Sequence, residues 1–519
     1  MSAEALTRLF HDYLFAFERV AAFYPAGAPF DCARLAAHAR ELSYPEASRR
    51  AAATDLLQQN PEQSAVVARL AQPGTAAILT GQQVGLFGGP LLGLHKAMTA
   101  VRLAEQLQQQ GTPAVPIFWM ATQDHDLAEV NQACLLDSAS VPQRLAASFP
   151  PEASGQPTGA VCFDNSITAV LDEAERCCPG DWAAVRAAYH PGATLGEAFG
   201  NLLRRWFAPW GLLVFDPRTA QGVQALWQPY YVQAFDRQPE LAARLAERGA
   251  ALSAAGYHVQ VEQTAAASML FIETAAGRLG LRRRGEQWIL GEAAANAGAL
   301  RARVAAQPGQ VSPAALLRPV LQDVAFPTVA QVTGPAESAY LAQSSVLYQA
   351  LGVAQPVAWP RARVTLIDAK AQRLLQKFSL TLDDLRETPA ADLLARRALP
   401  AGIEARVAAM RTGMAEGFTQ LRQELEQLDA TLLDAAQGAA QKIEHQLAQM
   451  ETRVARSFAR RSGELQAQAQ HLEGSLFPHR EAQERVLTAA GWLARNPQMA
   501  AQLHDALDAA QPQHQEIPV

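Results

Sequence analysis

The chain has 519 residues, with 44 Lys and Arg against 50 Asp and Glu, for a net charge of −6. Such a length holds several domains of roughly 150 residues each, and the mildly acidic balance does not supply the phosphate-neutralising charge by which proteins grip long nucleic acids. Five Cys without a CxxC pair argue against a disulfide framework and a Cys-based zinc site, and no window offers the ~18 uncharged apolar residues of a membrane span.

The opening MSAEALTRLFHDYLF carries charges inside its apolar stretch and lacks the pattern of a cleavable leader, so a cytoplasmic location is expected. Residues 1–70 read as short helices interrupted at Pro25, Pro45 and Pro61. AAILT (76–80) has a buried-strand pattern and runs into a Gly-rich turn, after which LLGLHKAMTAVRLAEQLQQQG keeps helical spacing up to Gly111. VPIFWMAT (115–122) is a second buried strand. Strand, turn, helix and strand make a βαβ unit, whose crossover is expected to be right-handed. Further strands are predicted at GLLVFD (211–216), YHVQVEQ (257–263), MLFIET (269–274) and FPTVAQVTG (326–334), and GRLGLRRRGEQWIL (277–290) reads as a hairpin. The pattern predicts an α/β core over residues 1–375, with insertions at about 136–195 and 240–310.

After Asp368 the strand signal fades. Ile403, Val407, Met410, Met414, Phe418, Leu421, Leu425, Leu428 and Leu432 recur in steps of three and four, with one stutter. A second run, Ile443, Leu447, Met450, Val454, Phe458 and Leu465, follows an Ala-rich stretch containing Gly438. Two arms of about 30 residues, hence ~45 Å long, would form an antiparallel coiled coil over 376–475; an ordinary helical bundle on the core is the alternative. Residues 476–519 are expected to be helical and to pack back on the core.

Four polar groups fall at predicted strand ends, where open α/β sheets bind ligands. The first is the turn Thr80, Gly81, Gln82, Gln83, Val84, Gly85, Leu86, Phe87, Gly88, Gly89, Pro90. It matches neither GxGxxG nor the P-loop pattern, but a helix start behind a glycine turn suits an anion. His95 and Lys96 lie one turn into that helix, within reach of a phosphate. Lys occurs only at 96, 370, 377 and 442, so an ammonium at position 96 is suggestive; a solvated helix residue is the plain alternative. Asp124, His125 and Asp126 follow the second strand, beyond Trp119, as candidates for acid–base work or ammonium recognition. Extended geometry would set His125 opposite the two Asp, Asp126 serves equally as a helix cap, and three residues are too few to hold a metal. Asp216 ends the third strand, and Gly334, Glu337 and Tyr340 form a second glycine turn into a helix, flanked by Arg318, Gln322 and Arg361.

TGQQVGLFGGPLLGLHK, PIFWMATQDHD, LLRPVLQDVAFPTVAQVTGPAESAY, PVAWPR and LFPHREAQER stand here in an order that resembles the BshC family, the cysteine ligases of bacillithiol biosynthesis. The resemblance spans nearly the whole chain. It implies a Rossmann-like core with two connecting-peptide insertions and a C-terminal coiled coil used for homodimerisation. It also implies that cysteine is joined to glucosaminyl malate to form bacillithiol; because a free carboxylate needs activation, usually as an acyl adenylate or acyl phosphate, ATP is the expected cosubstrate. A second nucleotide site near the coiled coil is implied too, for which Lys442, Gln483, Glu484 and Arg485 are candidates; an interdomain clamp explains them as well. The chain departs from the family pattern at GLFGGP, where GLFTGP is expected, removing a hydroxyl near the proposed phosphate, and at GPAESAY, where GPAEIAY is usual. Two other functions fit the patterns: an aminoacyl-tRNA-synthetase-like ligase, against which the net charge argues, and a non-enzymatic nucleotide-binding scaffold.

Overall fold

In a computed structural model, which describes residues 7–399 and 401–519, the apolar runs line up as one parallel sheet. The leader reading falls partly on residues 1–6, outside the described residues. Strand β1 (Ala76–Gln82), helix α1 (Leu91–Gln109) and strand β2 (Ala114–Met120) form the expected βαβ unit. An antiparallel hairpin of β3 (Gln132–Leu136) and β4 (Pro142–Ala146) opens the first insertion, and the chain returns to the sheet as β5 (Leu213–Phe215). The second insertion carries β6 (Ala267–Thr274), β7 (Gly277–Arg284), β8 (Gln287–Leu290), β9 (Ala293–Ala295) and β10 (Val311–Pro313), an antiparallel sheet in the order β10-β6-β7-β8-β9. Helix α2 (Arg318–Ala325), β11 (Thr328–Thr333), α3 (Pro335–Leu351) and β12 (Val357–Pro360) complete the core, whose sheet order is β12-β11-β1-β2-β5.

Successive side chains of a strand point to opposite faces, so this one sheet feeds two cores. Ile78, Phe118 and Val214 join the cluster that holds Leu94, Met98 and Val101 of α1. Leu79, Ile117, Trp119, Leu213 and Phe215 join the other. Burial on both faces is what a parallel sheet requires. The chain leaves β1 toward β2 and β5, then crosses to the other side of β1 to lay down β11 and β12. The switch point therefore lies between β1 and β11.

YHVQVEQ forms no strand. Its backbone is held instead by one side chain: Val261 N–H donates to Gln343 Oε1 and Gln343 Nε2 donates to the Val261 carbonyl, both at 2.9 Å. Its apolar residues Tyr257 and Val259 pack on the N-terminal aromatic cluster. The chain after Asp368 is less uniformly helical than expected, because β13 (Arg363–Ile367) pairs in parallel with a last strand, β14 (His514–Pro518). Five residues that end in Pro are too short to show a period.

Helices α4 (Ala401–Leu428) and α5 (Leu433–Arg460) form the antiparallel hairpin, 28 residues per arm and so ~42 Å long. The break falls at Asp429, whose carboxylate accepts from Thr431 N and Oγ1 at 2.9 and 2.7 Å, while Gly438 lies inside α5. Arg411 ties the arms together through Glu444 (3.0 Å) and Glu451 (2.7 Å). The hairpin uses only part of its seam. Val407 and Leu447 are buried, but Met410 is 49% and Leu428 80% exposed, and Leu421, Ile443 and Met450 are exposed with them. Helices α6 (Gly463–Leu476) and α7 (Gln483–Val486) bring the chain back to the core.

Candidate active site

The carboxyl ends of β1 and β11 open into a cavity of about 840 Å³, lined also by β4, α3 and the segment 479–488. The turn after β1 is stapled from outside. Tyr189 donates its hydroxyl hydrogen to the Gly85 carbonyl and accepts from Gly88 N–H, both at 3.1 Å. Leu91 N–H donates to the Leu487 carbonyl and Ala489 N–H to the Gly89 carbonyl, so the C-terminal segment holds the other side.

Lys96 points from α1 back into the turn, donating to the Gly81 carbonyl at 2.8 Å and to Gln82 Oε1 at 2.9 Å, and pairing with Glu337 Oε2 at 2.5 Å. Glu337, at the start of α3, also accepts from Gly334 N–H at 2.7 Å. Gly334 marks where these groups converge: a Cβ there would lie 3.4 Å from Glu337 Oε2 and 4.0 Å from both Lys96 Cε and Arg361 Nε. Burial pulls the Lys96 ammonium below its ordinary range; Glu337 opposes this, and the Arg361 and Arg485 charges reinforce it. Across the cavity, Arg318 grips both oxygens of Asp124. Burial alone would lower the Arg318 pKa, but Asp124 opposes it and the guanidinium ends above its ordinary value.

Behind the wall runs a buried chain of groups. Glu484 of α7 takes both ends of the Arg361 guanidinium, one at 2.6 Å, and accepts from His95 Nδ1 at 2.9 Å. Burial would raise the Glu484 carboxyl, yet Arg361 and His95 outweigh it and hold it at about 2. Burial lowers the His95 pKa against the pull of Glu484. A neutral ring facing an ionised carboxylate must carry its proton on Nδ1.

Residues 1–362 match the family described as bacillithiol biosynthesis BshC, N-terminal Rossmann-like domain, and residues 364–518 match the BshC C-terminal coiled-coil domain. The chain belongs to the BshC family. A relative from Solibacter usitatus, named "Putative cysteine ligase BshC", is 37% identical over 511 residues, covering 97% of this chain and 95% of its own. A relative of the same name from Koribacter versatilis is 37% identical over 94% of this chain and 93% of its own, and one from Salinibacter ruber 30% over 99% and 97%.

In this BshC chain the cavity gathers residues from all four strand-end groups except the third. Thr80, Gly81, Gln82, Gln83, Gly85, Pro90, Lys96, Trp119, Asp124, Arg318, Gln322, Gly334, Glu337, Tyr340 and Arg361 all line it. Other expected residues lie elsewhere. His95 is fully buried and turned to Glu484, so it does not reach the turn as a phosphate ligand would. Phe87 is buried behind the turn, edge-on to Trp182 and Tyr189, and Gly89 is occupied by the C-terminal segment. The chain bends after Met120 rather than running on extended, so Asp124, His125 and Asp126 do not alternate. His125 meets Arg278 at 3.2 Å, Asp126 caps the helical turn Leu127–Val130 through Glu129 N–H at 3.2 Å, and Asp216 accepts from Thr122 Oγ1 at 2.5 Å; none of the three lines the cavity.

The four second-site candidates lie on two different helices. Lys442 sits exposed on α5, whereas α7 packs on α1 and β13. Gln483 is a clamp, donating to the Leu366 and Ser475 carbonyls and accepting from Leu366 N–H at 2.6–2.9 Å. Glu484 lies behind the cavity, and Arg485 lines it. The glycine of GLFGGP has a packing reason: Gly88 has φ +85°, and a Cβ there would meet Trp206 at 2.6 Å. Arg144, Glu129, His479 and Glu481 line the cavity without having been singled out. Arg144 lies in a stretch of weak periodicity, and His479 and Glu481 stand in LFPHREAQER, where only the motif signalled them.

Among the described residues no cluster of three or more His, Cys, Asp and Glu is placed to hold a metal, and no helix is long and apolar enough to cross a membrane.

Proposed function

We propose that this chain is a cytoplasmic cysteine ligase that forms an amide between L-cysteine and glucosaminyl malate, consuming ATP. The observation that supports it most is the charge pattern of one cavity. Cations (Lys96, Arg144, Arg318, Arg361, Arg485) and carboxylates (Asp124, Glu129, Glu337, Glu481) together line a space large enough for polar reactants of both signs. Lys96, Arg361 and Arg485 would hold nucleotide phosphates, and ATP supplies activation of an otherwise unreactive carboxylate. The chain's own residues orient the partners. Asp124, with both oxygens gripped by Arg318, suits recognition of an ammonium better than proton removal, and Glu337 offers a second carboxylate held by Lys96 and Gly334. Purified protein given cysteine, ATP and glucosaminyl malate should yield bacillithiol with AMP or ADP; absence of both products refutes the reading.

We infer as well that a second copy covers the exposed apolar stripe of Met410, Leu421, Leu428, Ile443 and Met450. Heptad positions bared on both arms are supernumerary for a two-helix hairpin and suit a larger bundle.

A further inference from the structure

We propose that Glu484 is a positioning residue of the ligase site, holding the Arg361 guanidinium at the cavity wall from behind, with His95 as the strut that fixes Glu484. This rests on the ligase reading of the cavity. Three residues far apart in sequence meet here: His95 on α1, Arg361 just after β12, and Glu484 on the single turn α7 of the C-terminal domain. Neither His95 nor Glu484 lines the cavity, whereas Arg361, though itself buried, lines it beside Lys96 and Arg485.

The donor count explains why a carboxylate is needed. Glu484 accepts three hydrogen bonds, from Arg361 Nη1, Arg361 Nη2 and His95 Nδ1. A carboxylate has only acceptors to offer, so all three are satisfied. An amide of the same shape has one acceptor oxygen, and its NH2 would face a donor on Arg361 or on His95. The guanidinium would then turn from its place. His95 Nε2 has no partner and is completely buried, so the ring serves through its Nδ1–H alone. The next residue along the same turn, Arg485, faces the cavity. One helical turn of the C-terminal domain thus delivers a support to the back of the wall and a cation to its front, which makes that domain part of the site.

The test is a double-mutant cycle on the full chain, Glu484→Gln and Arg361→Gln, with Glu484→Asp as the conservative variant. Initial rates are measured against cysteine, ATP and glucosaminyl malate, and melting curves establish that each variant is folded. Glu484→Gln should lower kcat/KM by ~10- to 100-fold, the scale of misdirecting one charge-assisted pair, and Glu484→Asp should recover part of that loss. Because Glu484 acts through Arg361, adding Glu484→Gln to Arg361→Gln should cost little more. A Glu484→Gln variant with a lowered melting temperature and wild-type kcat and KM overturns the proposal, as do additive losses. If the wild type makes no product, the ligase reading fails first, and calorimetric titration with ATP and with glucosaminyl malate then decides the positioning claim. Weakened binding of either ligand in both single variants, without further loss in the double, sustains it; unchanged affinity, or no binding to the wild type, overturns it.

Discussion

Lys96→Met separates the two roles that the structure gives this lysine. The side chain is buried and makes three bonds, to Gly81, Gln82 and Glu337. Met keeps the length and loses the charge, leaving Glu337 without its cation. Removing one partner of a buried pair costs ~3–5 kcal/mol. Glu337 is 26% exposed and keeps its bond from Gly334 N–H, so the loss here should be smaller, ~2–3 kcal/mol. It would appear as a drop of a few degrees in the melting temperature of the core. The effect on turnover should be larger, because a positioned charge that meets developing negative charge contributes ~100- to 1,000-fold in kcat. The pair Lys96→Met with Glu337→Gln decides between the roles: it should regain most of the stability, since no unpaired carboxylate is left, and none of the rate. Melting curves and initial rates on the two variants make the test. Wild-type kcat/KM in Lys96→Met, or recovery of rate in the double variant, would refute the assignment of Lys96 to the chemistry.

Burial pushes the Asp323 carboxyl up to about 7, although Tyr348, Thr328 and Gln331 hydrogen-bond it and pull the other way. A raised acid takes up its proton on folding, so this stabilising contribution is full below pH ~4 and is lost as pH rises through 7; Asp323→Asn should flatten the fall in melting temperature between pH 5 and 8, and an unchanged slope would exclude Asp323 as its source. Leu421→Glu with Met450→Glu should convert a two-chain species into one of single-chain mass by light scattering; a wild type that already runs as one chain contradicts the second-copy inference. Of the five thiols, Cys162 is exposed, Cys32 and Cys177 are half-buried, and Cys134 and Cys178 are buried. Burial also pushes the Cys134 thiol up to about 11. A disulfide reagent should therefore label Cys162 first in the native protein and Cys178, fully buried and away from the cavity lining, only on unfolding, and rapid native labelling of Cys178 would refute this order.

Four of the five strands of the parallel sheet were legible because each is a short apolar run between turns, whereas β12, four residues ending in Pro, gave no such signal; the coiled-coil arms were legible because their period persists over many turns. What escaped were features whose cause is tertiary. YHVQVEQ alternates well enough to read as a strand, yet the backbone partner of Val261 is the side chain of Gln343. His95 and Lys96 are neighbours that local reasoning treats alike, but adjacent helix positions are about 100° apart around the axis. Lys96 therefore reaches the turn while His95 enters the interior, and only the return of α7 reveals what it meets. The same return explains the scattered candidates near the C-terminus. Gln483, Glu484 and Arg485 occupy successive directions of one helical turn, so one clamps β13, one backs Arg361 and one lines the cavity. Periodicity could not sort them, because a four-residue helix has no period to display. The boundary between an α/β core and a helical appendage, clear in composition, is thus not a boundary of the site: the wall beside Lys96 is finished by residues almost 400 positions later, and an activity assay on the core alone should show the loss.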